Sequence, residues 1–418
     1  MSFELTKGQH EALAMVKKLV KLPHDRPKIG VLRGPAGTGK TSMIRVFGHE
    51  IGEMAIIAPT GKASVRVTEA TGLPARTIHS FIYLPKQDPL SGEIRYQRKG
   101  VDDIERPDSG LIVVEEASMV GLQVWEDIVD VAKNLDCHIL CVGDSFQLPP
   151  VQTDSSEPFG LLLPDFTFDL QSDLTEITRQ ALESPIIRAG ARLREGNVLD
   201  AVMELPRVST DKMLEKHLEI LPKNGVAICH RNSSRLELNR RIREHKKLSD
   251  RSLHDGEPLL VLRNSYQLQR FNGEVLRFDE WKRSPGQQWK VWDHWKQQET
   301  SSSFGVGLVE GQECSLSPQA VFGRCENVGI AALELVSNFK IGRDIPYLHC
   351  SFGYTLTAHK CQGSEYSDVL VVIERSVQPF TLEGRRWIYT AVTRAKENVS
   401  IVWQPKDEEL GFTNPKRR

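Results

Sequence analysis

Short apolar runs alternate with segments of helical periodicity through the first third of the chain. Apolar residues recur at helical spacing at 9–22, 40–50, after Pro59 and at 120–135. Between these segments lie apolar runs typical of buried strands, at 29–32, 54–58, 111–114 and 138–142. Strands and helices that alternate in this way form parallel sheets with helices on both faces. The pattern therefore predicts a first α/β domain.

The second part of the chain resumes this alternation, and two segments interrupt it. Strand-like runs recur at 225–229, 347–352, 369–374 and 399–403. A polar stretch with glycine-bearing turns between Tyr83 and Gly110 predicts an inserted β-hairpin at about 84–107. A stretch rich in Trp, Gly and Gln without helical period predicts a small β module at about 262–344, whose tryptophans 281, 289, 292 and 295 pack its core. We expect two parallel-sheet α/β domains, at 1–171 and 172–418.

Composition favours a folded enzyme and leaves the partner open. The 418 residues are 39% hydrophobic and 26% charged, which excludes a disordered, collagen-like or coiled-coil chain. The 54 basic and 55 acidic residues give a net charge of -1, so nucleic acid would have to bind in a local groove. The seven cysteines form no CxxC pair and predict reduced, buried thiols. Without a targeting or membrane-spanning segment, we expect a cytoplasmic protein.

A phosphate-binding loop lies between the first strand and the helix that follows. The segment 34–41 reads GPAGTGKT and matches the pattern GxxxxGK[ST] in the strand-turn-helix context that this motif requires. Its glycines let backbone N–H groups approach phosphates, Lys40 reaches the β- and γ-phosphates, and Thr41 can bind Mg²⁺. We expect ATP to be held by Gly34, Pro35, Ala36, Gly37, Thr38, Gly39, Lys40 and Thr41.

Two carboxylates follow a neighbouring apolar run. Glu115 and Glu116 come directly after 111–114, and therefore lie at the carboxyl edge of the predicted sheet, where ligands bind. Acids at this position can bind Mg²⁺ and activate the attacking water of a nucleotide hydrolase. A third strand ends in the polar segment 143–150, where Gln147 could sense the γ-phosphate.

Several further motifs occur in a fixed order. They are LTKGQ at 5–9, APTGKA at 58–63, TIHSF at 77–81, VEEAS at 114–118, GDSFQLP at 143–149, LTEITRQ at 174–180, YTLTAHKCQGSE at 354–365 and YTAVTRAK at 389–396. With them the sequence resembles superfamily 1 DNA helicases of the RecD/Dda-like branch, superfamily 1B. The resemblance covers most of the chain and implies two RecA-like domains, 1A and 2A. It also implies that the hairpin is a strand-separating pin, 1B, and that the β module is SH3-like, 2B.

The resemblance assigns roles around the nucleotide. Gln9 would read adenine, Glu116 would activate water, and Gln147 would couple hydrolysis to movement. Arg179 and Arg394 match the two family arginines that reach the γ-phosphate, and Gly363 and Glu365 would complete the site. One position departs from the family pattern, because Glu115 stands where the family usually has Asp. We expect this longer carboxylate still to bind Mg²⁺ through a shifted rotamer or a bridging water.

The resemblance also implies a path for DNA across both domains. A translocase contacts the strand with polar groups and occasional stacking rings. The candidate residues are Thr60, Lys62, His79, Phe81, Asn232, Asn239, Thr357 and His359. For the two histidines a buried structural role is the competing interpretation.

Together these features predict an ATP-dependent DNA helicase that moves 5′ to 3′, with ATP and Mg²⁺ as cofactors. Single-stranded and forked duplex DNA, and proteins of replication, recombination or repair, are its expected partners. We expect no membrane contact, function as a monomer, and a bacterial or phage-infected cytoplasm. The alternatives are a translocase or RecD-like subunit that needs a partner, a phosphate-loop kinase or NTPase that does not act on nucleic acid, and a binding module without hydrolysis.

Overall fold

The structure is a computed structural model, and it describes residues 5–87, 94–149, 167–176, 183–265, 267–293, 298–324 and 330–404. Contacts divide the chain into two compact units. Unit 1 contains 1–84, 97–209 and 362–418, and unit 2 contains 85–96 and 210–361. The domain boundary expected at 171/172 stays a prediction.

The strands are numbered in chain order. They are β1 (Ile29–Arg33), β2 (Ala55–Ala58), β3 (Ala75–Thr77), β4 (Tyr83–Gln87), β5 (Ile94–Arg98), β6 (Leu111–Val114), β7 (His138–Gly143), β8 (Leu170–Asp173), β9 (Arg207–Val208), β10 (Val226–Cys229), β11 (Pro258–Val261), β12 (Val275–Arg283), β13 (Trp289–Asp293), β14 (Gln298–Ser302), β15 (Gly305–Val309), β16 (Gln312–Leu316), β17 (Cys350–Phe352), β18 (Thr355–Thr357), β19 (Tyr366–Ile373) and β20 (Ala395–Trp403).

The α-helices are numbered in the same way. They are α1 (Lys7–Leu19), α2 (Lys40–Ile51), α3 (Gly61–Thr71), α4 (Ile78–Ile82), α5 (Leu122–Asn134), α6 (Pro185–Glu195), α7 (Val198–Met203), α8 (Met213–Ile220), α9 (Asn232–His245), α10 (Pro318–Val321), α11 (Ile330–Lys340), α12 (Ala358–Cys361) and α13 (Leu382–Val392). Among the described residues, no helix is long and apolar enough to cross a membrane.

A six-stranded parallel sheet forms the centre of unit 1. Its order is β3-β2-β6-β7-β1-β8. The inner strands β6 and β7 are buried throughout because apolar clusters cover both faces of the sheet. One cluster joins α5 to the sheet, and the other joins α1, α2 and α3 to it. This arrangement confirms the predicted parallel α/β fold and brings the carboxyl ends of β1, β2, β6 and β7 to one edge.

A second parallel group in unit 1 consists of β19, β20 and β9. Strand β20 pairs with β19 along its length and with β9 at Ile401 and Val402. These strands follow the predicted runs at 369–374 and 399–403. Helix α13 lies between β19 and β20 in the chain and is almost entirely buried, because it packs against α6 and both strands.

Unit 2 contains a parallel pair and an antiparallel sheet. Strands β10 and β18 are parallel, whereas the five-stranded sheet has the order β16-β15-β12-β11-β17 with antiparallel neighbours. Trp281 packs on the core of this sheet, edge-on to Phe278 at 5.1 Å, and Trp289 packs on a smaller apolar cluster. The core role is thus confirmed for these two tryptophans, while the side chains of Trp292 and Trp295 lie outside the described residues. The SH3 likeness of the module stays a prediction.

One predicted strand belongs to a different sheet. The run at 347–352 was expected to join the second parallel region, but β17 pairs antiparallel with β11. The prediction was wrong because an apolar run shows that a strand is buried without showing which partner covers it. The next strand, β18, supplies the parallel partner of β10 instead.

The predicted hairpin exists as the two-stranded sheet of β4 and β5. Its tip at 88–93 lies outside the described residues. Its base is fixed because Lys99 N–H donates to Ile82 O at 2.8 Å and Arg98 pairs with Asp130 on α5 at 2.7 Å. The strand-separating role stays a prediction.

Candidate nucleotide site in unit 1

The phosphate loop joins β1 to α2, and its backbone needs glycine. Gly37 and Gly39 have φ angles of 82° and 84°, in the left-handed region that glycine adopts without strain. A Cβ on Gly39 would also lie 2.9 Å from Gln9 Nε2, so the loop is closed tightly on α1. Thr38 is buried, and its hydroxyl donates to Pro35 O at 2.9 Å. The sequence motif therefore folds into the cradle that phosphate binding requires.

Lys40 lies at the first turn of α2 and bridges the loop. Its Nζ donates to Gly34 O at 2.8 Å and to Pro35 O at 2.9 Å. Both acceptors of this ammonium are neutral carbonyl oxygens. Lys40 is therefore placed to exchange these carbonyls for phosphate oxygens.

Gln9 lies beside this loop and is buried. Its Nε2 donates to Thr38 O at 3.4 Å, and its Oε1 accepts from Thr6 N–H at 3.1 Å in a capping box at the start of α1. The carboxamide thus links the helix start to the loop. Adenine recognition by Gln9 stays a prediction.

Two carboxylates lie where β6 ends. Glu115 Oε1 accepts a 2.9 Å hydrogen bond from the hydroxyl of Thr41, and Glu115 is buried. Burial and the charge of Glu116 raise the pKa of Glu115 to about 7, although Arg66, Lys40 and the Thr41 hydrogen bond act in the opposite direction. Glu115 Oε2 has no hydrogen-bond partner within the described part of the chain. This oxygen is therefore available to a cation.

Glu116 adopts a backbone that a non-glycine residue rarely has. Its φ and ψ angles are 52° and 41°, in the left-handed region, directly before a short 3-10 turn at 117–119. This conformation costs about 1 kcal/mol for a residue with a Cβ. It turns the chain after β6, before the short 3-10 turn.

Arg66 on α3 is a site residue that the sequence analysis did not single out. Its Nη2 lies 3.3 Å from Glu116 Oε1 and 4.0 Å from Glu115 Oε1, and its Nη1 lies 3.2 Å from Glu365 Oε1. Burial alone would lower the pKa of Arg66, but the carboxylates, that of Glu116 foremost, raise it above its usual value. One guanidinium is therefore shared by three carboxylates.

The segment after β18 brings Glu365 to this cluster. Gly363 has a φ of 73°, and a Cβ there would lie 3.1 Å from Thr60 Oγ1 and 3.2 Å from Ala63 Cβ. Only glycine thus lets this backbone pass so close to the start of α3. Glu365 also pairs with Lys396 at 3.4 Å. The structure thereby brings the predicted Gly363 and Glu365 near the carboxylates, within unit 1.

A second polar group links the phosphate loop to the end of β7. The Tyr389 hydroxyl donates to Asp144 Oδ2 and accepts from Ala36 N–H at 3.1 Å. Arg194 of α6 donates to Asp144 Oδ1 at 2.6 Å and lies over the rings of Phe146 and Tyr389. Burial, followed by the charge of Asp144, raises the pKa of Tyr389 well above its usual value. A cavity of about 190 Å³ adjoins this group, between the loop, α6 and α13.

Gln147 and Arg394 have different surroundings. Gln147 is buried, and its Oε1 has no hydrogen-bond partner among the residues that the structure describes. Arg394 is also buried, but it donates to Thr390 O at 3.1 Å and to Ser364 O at 3.3 Å. Arg179 lies outside the described residues. The roles of these three residues in hydrolysis stay predictions.

The predicted DNA residues of unit 1 differ in accessibility. Thr60 caps α3 by accepting from Ala63 N–H at 3.2 Å, and Lys62 Nζ lies 5.9 Å from the Tyr366 ring. His79 is half-buried, and burial lowers its pKa. Phe81 is only 3% exposed and packs in the core of unit 1. Phe81 is therefore a packing residue in this structure.

The predicted DNA residues of unit 2 show the same contrast. Asn232 is exposed at the first position of α9. Asn239 is buried, with Nδ2 donating to Phe352 O and Oδ1 accepting from Thr355 N–H, both at 2.9 Å. Thr357 is buried at the end of β18, and burial, followed by the charge of His230, lowers the pKa of His359. Asn239 therefore supports the backbone between β17 and β18.

Two family models match the chain. The AAA domain matches residues 4–210, and the UvrD-like helicase C-terminal domain matches residues 352–402. The ATP-dependent RecD2 DNA helicase of Deinococcus radiodurans is 29% identical over 392 residues, which are 88% of this chain and 46% of that protein. The RecBCD enzyme subunit RecD of Mycolicibacterium smegmatis is 26% identical over 415 residues, 89% of this chain and 68% of that protein. This chain thus spans about half the length of the Deinococcus relative.

Solved structures share the fold at low identity. A Pif1 helicase from Bacteroides in complex with ADP-AlF3 and single-stranded DNA has a TM-score of 0.53 at 16% identity. The match covers 98% of this chain and 97% of that chain. A Pif1 structure that addresses DNA unwinding at forked duplex DNA has a TM-score of 0.54, also at 16% identity, and covers 98% of this chain and 96% of that chain. These matches confirm the predicted RecA-like fold class.

Proposed function

We propose that this chain, which belongs to the RecD- and Pif1-like family of superfamily 1B helicases, is an ATP-driven motor that moves 5′ to 3′ along single-stranded DNA and separates duplex DNA. The observation that carries the proposal is the gathering of Lys40, Thr41, Glu115 and Glu116 at one edge of the first sheet. The direction of movement and the DNA substrate are inferred from the family.

ATP would bind with its phosphates in the loop at 34–41. The loop N–H groups and the Lys40 ammonium would hold the β- and γ-phosphates, and the positive end of α2 would add to their attraction. To do so, Lys40 leaves the carbonyls of Gly34 and Pro35, and Ala36 N–H leaves the Tyr389 hydroxyl. The site therefore exchanges internal partners for phosphate oxygens.

The residues at this edge fit Mg²⁺. The Thr41 hydroxyl and Glu115 carboxylate lie 2.9 Å apart, and they present the oxygen donors that Mg²⁺ prefers. Glu115 Oε2 is buried without a hydrogen-bond partner in the described residues, which a cation would correct. Among those residues, no group of three or more His, Cys, Asp or Glu could hold a metal, so phosphate and water would complete the coordination. When bound, Mg²⁺ would neutralise phosphate charge.

Glu116 is the proposed general base. Glu116 follows Glu115 at the end of β6, and from this edge of the sheet its carboxylate would take a proton from the water that attacks the γ-phosphate. Gln147 would sense that phosphate by donating a hydrogen bond from its side-chain amide nitrogen, and Arg179 and Arg394 would stabilise the transition-state charge.

DNA would contact exposed and half-buried polar groups at helix starts and strand ends. In unit 1 these are Thr60 and Lys62 at the beginning of α3, with His79. In unit 2 they are Asn232, at the beginning of α9, and His359. Phe81 and Asn239 are left out because their side chains are used in packing and backbone support. Hydrogen bonds to phosphate and sugar would position the strand without reading its sequence.

The first test is ATP hydrolysis with and without single-stranded DNA, using Lys40→Ala as the control. We expect DNA to stimulate hydrolysis and the variant to lose it. Hydrolysis that does not respond to DNA would contradict the proposal and favour a phosphate-loop enzyme that acts elsewhere. Unwinding of duplexes with either a 5′ or a 3′ single-stranded tail then tests direction, and a preference for the 3′ tail would contradict it.

A second candidate is a translocase that needs a partner subunit to unwind DNA. The matches to RecD subunits of the RecBCD enzyme favour it, because those relatives are named as parts of a complex. DNA-stimulated hydrolysis without unwinding by the isolated chain would distinguish this candidate from a self-sufficient helicase.

A further inference from the structure

We propose that Arg66 is a positioning residue that restrains the Glu116 carboxylate until single-stranded DNA binds at the start of α3. This inference rests on the proposed function, since it assigns the DNA stimulation of hydrolysis to one side chain. The motif that identifies the phosphate loop does not include Arg66.

The restraint is visible in the ion pairs of Arg66. Its Nη2 lies 3.3 Å from Glu116 Oε1, while its Nη1 lies 3.2 Å from Glu365 Oε1. A carboxylate oxygen that faces a guanidinium in an ion pair at this distance has less freedom to turn toward a water molecule. The Glu116 side chain is only 5% exposed, so water has little access to replace this partner. Arg66 thus holds the proposed base in an unreactive arrangement.

The helix that carries Arg66 also carries the proposed DNA contacts. Thr60 caps α3, and Lys62 lies four residues before Arg66, on the same face of the helix. A shift of α3 by a bound strand would therefore move Arg66 with it. Arg66 has a second anionic partner in Glu365. The Glu365 side chain is 36% exposed and also pairs with Lys396. Release from Glu116 would leave the guanidinium with Glu365.

The test compares ATP hydrolysis with and without an oligothymidine strand in wild type, Arg66→Gln and Arg66→Lys. We expect both variants to hydrolyse ATP faster than wild type without DNA, by about tenfold for a restraint of about 1.4 kcal/mol. With saturating DNA their rates should approach that of wild type, so the stimulation ratio falls. Arg66→Lys keeps the positive charge but lacks the planar fork whose two nitrogens reach Glu116 and Glu365, and it guards against misfolding of the neutral variant.

Lys396→Gln is the matched control, because it removes a cation from Glu365 without touching Glu116. Its stimulation ratio should follow that of wild type. Equal losses of rate with and without DNA in both Arg66 variants would show that Arg66 assists hydrolysis directly, and would overturn the restraint. An unchanged ratio would also overturn it. A wild type that DNA does not stimulate would instead overturn the proposed function.

Discussion

The Arg66 cluster of unit 1 (Arg66, Glu115, Glu116, Glu365) and the Arg243 cluster of unit 2 (Arg243, Glu257, Tyr354) both bury charge, but they compensate it differently. In the Arg243 cluster one cation faces one anion. Arg243 pairs with Glu257 and donates to Ser249 O and Ser252 O. Its guanidinium lies 4.2 Å from the Phe352 ring centre and 4.8 Å from that of Phe322.

The acid of the Arg243 cluster is equally well partnered. Glu257 accepts from the Tyr354 hydroxyl and from His254 N–H, both at 2.8 Å. In the Arg66 cluster, one guanidinium faces three carboxylates, and one buried oxygen of Glu115 has no partner among the described residues. Breaking the balanced cluster leaves an uncompensated buried charge, whereas under the proposed function a bound cation would complete the acid-rich cluster. The predictions below separate stability from activity on this basis.

The largest effect is expected from Arg243→Ala. Removing one partner of a buried pair leaves Glu257 charged and uncompensated, at a cost of about 3–5 kcal/mol of stability. Chemical denaturation monitored by circular dichroism measures this loss. Glu237→Gln, which removes exposed helical ion pairs with Arg240 and Arg241, is the control and should cost much less stability than Arg243→Ala. A similar loss in both variants would contradict the balanced-cluster interpretation.

Removing a charged side chain from the Arg66 cluster should affect activity. Glu116→Gln removes the proposed base and should lower DNA-stimulated hydrolysis by about 10²- to 10³-fold. Its stability should fall far less than that of Arg243→Ala, because relief of the repulsion with Glu115 offsets loss of the Arg66 ion pair. Hydrolysis rates measure the loss of activity, and denaturation of the same preparation measures stability. Nucleotide binding serves as the control that the site is intact. A loss of stability matching that of Arg243→Ala would remove the distinction between the clusters.

The two units should also respond to pH in opposite directions. Burial, against a hydrogen bond to Tyr354 O, lowers the pKa of His217 in unit 2 to about 4. The unfolded chain then binds more protons between pH 6.5 and 4, so stability falls as the pH falls through that range. His217→Gln should remove this pH-dependent loss of stability, which is on the order of 3 kcal/mol. Denaturation at pH 7 and pH 4 measures it.

The pH dependence of stability that we expect from Glu115 has the opposite sign. Because its pKa is raised to about 7, the folded chain holds a proton that the unfolded chain has lost above its ordinary pKa of 4.5. Stability from this group is full below pH 4.5 and is lost as the pH rises to about 7. Glu115→Gln should therefore flatten the profile in this range, and Mg²⁺ should flatten it in wild type. A steeper profile in either case would contradict the assignment.

The smallest effect is expected from Glu115→Asp. The carboxylate would be one methylene farther from the Thr41 hydroxyl, but water can bridge the gap to Mg²⁺. Hydrolysis should stay within about tenfold of wild type, or about 1.4 kcal/mol. An Mg²⁺ titration of the rate checks this, and saturating Mg²⁺ should recover most of any loss. Collapse of activity at all Mg²⁺ concentrations would show that the geometry requires glutamate.

The sequence predicted the elements whose signals are local. Apolar runs identified β1, β2, β6 and β7, and the glycine pattern at 34–41 identified the phosphate loop, because burial and positive φ restrict which residues occur there. The carboxylates followed from the end of β6. Each of these features can be read from a few neighbouring residues.

The contacts that the sequence did not predict join distant parts of the chain. Arg66 meets Glu365 across 299 positions, and Tyr389 meets Asp144 across 245. Nothing near Arg66 in sequence distinguishes it from a solvated helix charge. Asn239 illustrates the converse, since a polar residue on a polar helix was expected to face DNA and instead supports buried backbone. Whether such a residue faces DNA or packs inside depends on tertiary partners that periodicity does not specify.

The hydrogen bonds within the loop at 34–41 have a thermodynamic consequence for the proposed binding of ATP. Lys40 and Ala36 N–H already have partners in the folded chain, and the fixed glycine backbone already has its shape. Little chain entropy is therefore left to lose when a nucleotide enters. Its affinity is set by the difference in hydrogen-bond strength between phosphate oxygens and the groups that they replace. Under the proposed function, neutral or weakly charged molecules would gain little from that replacement, so the loop would favour highly charged ligands.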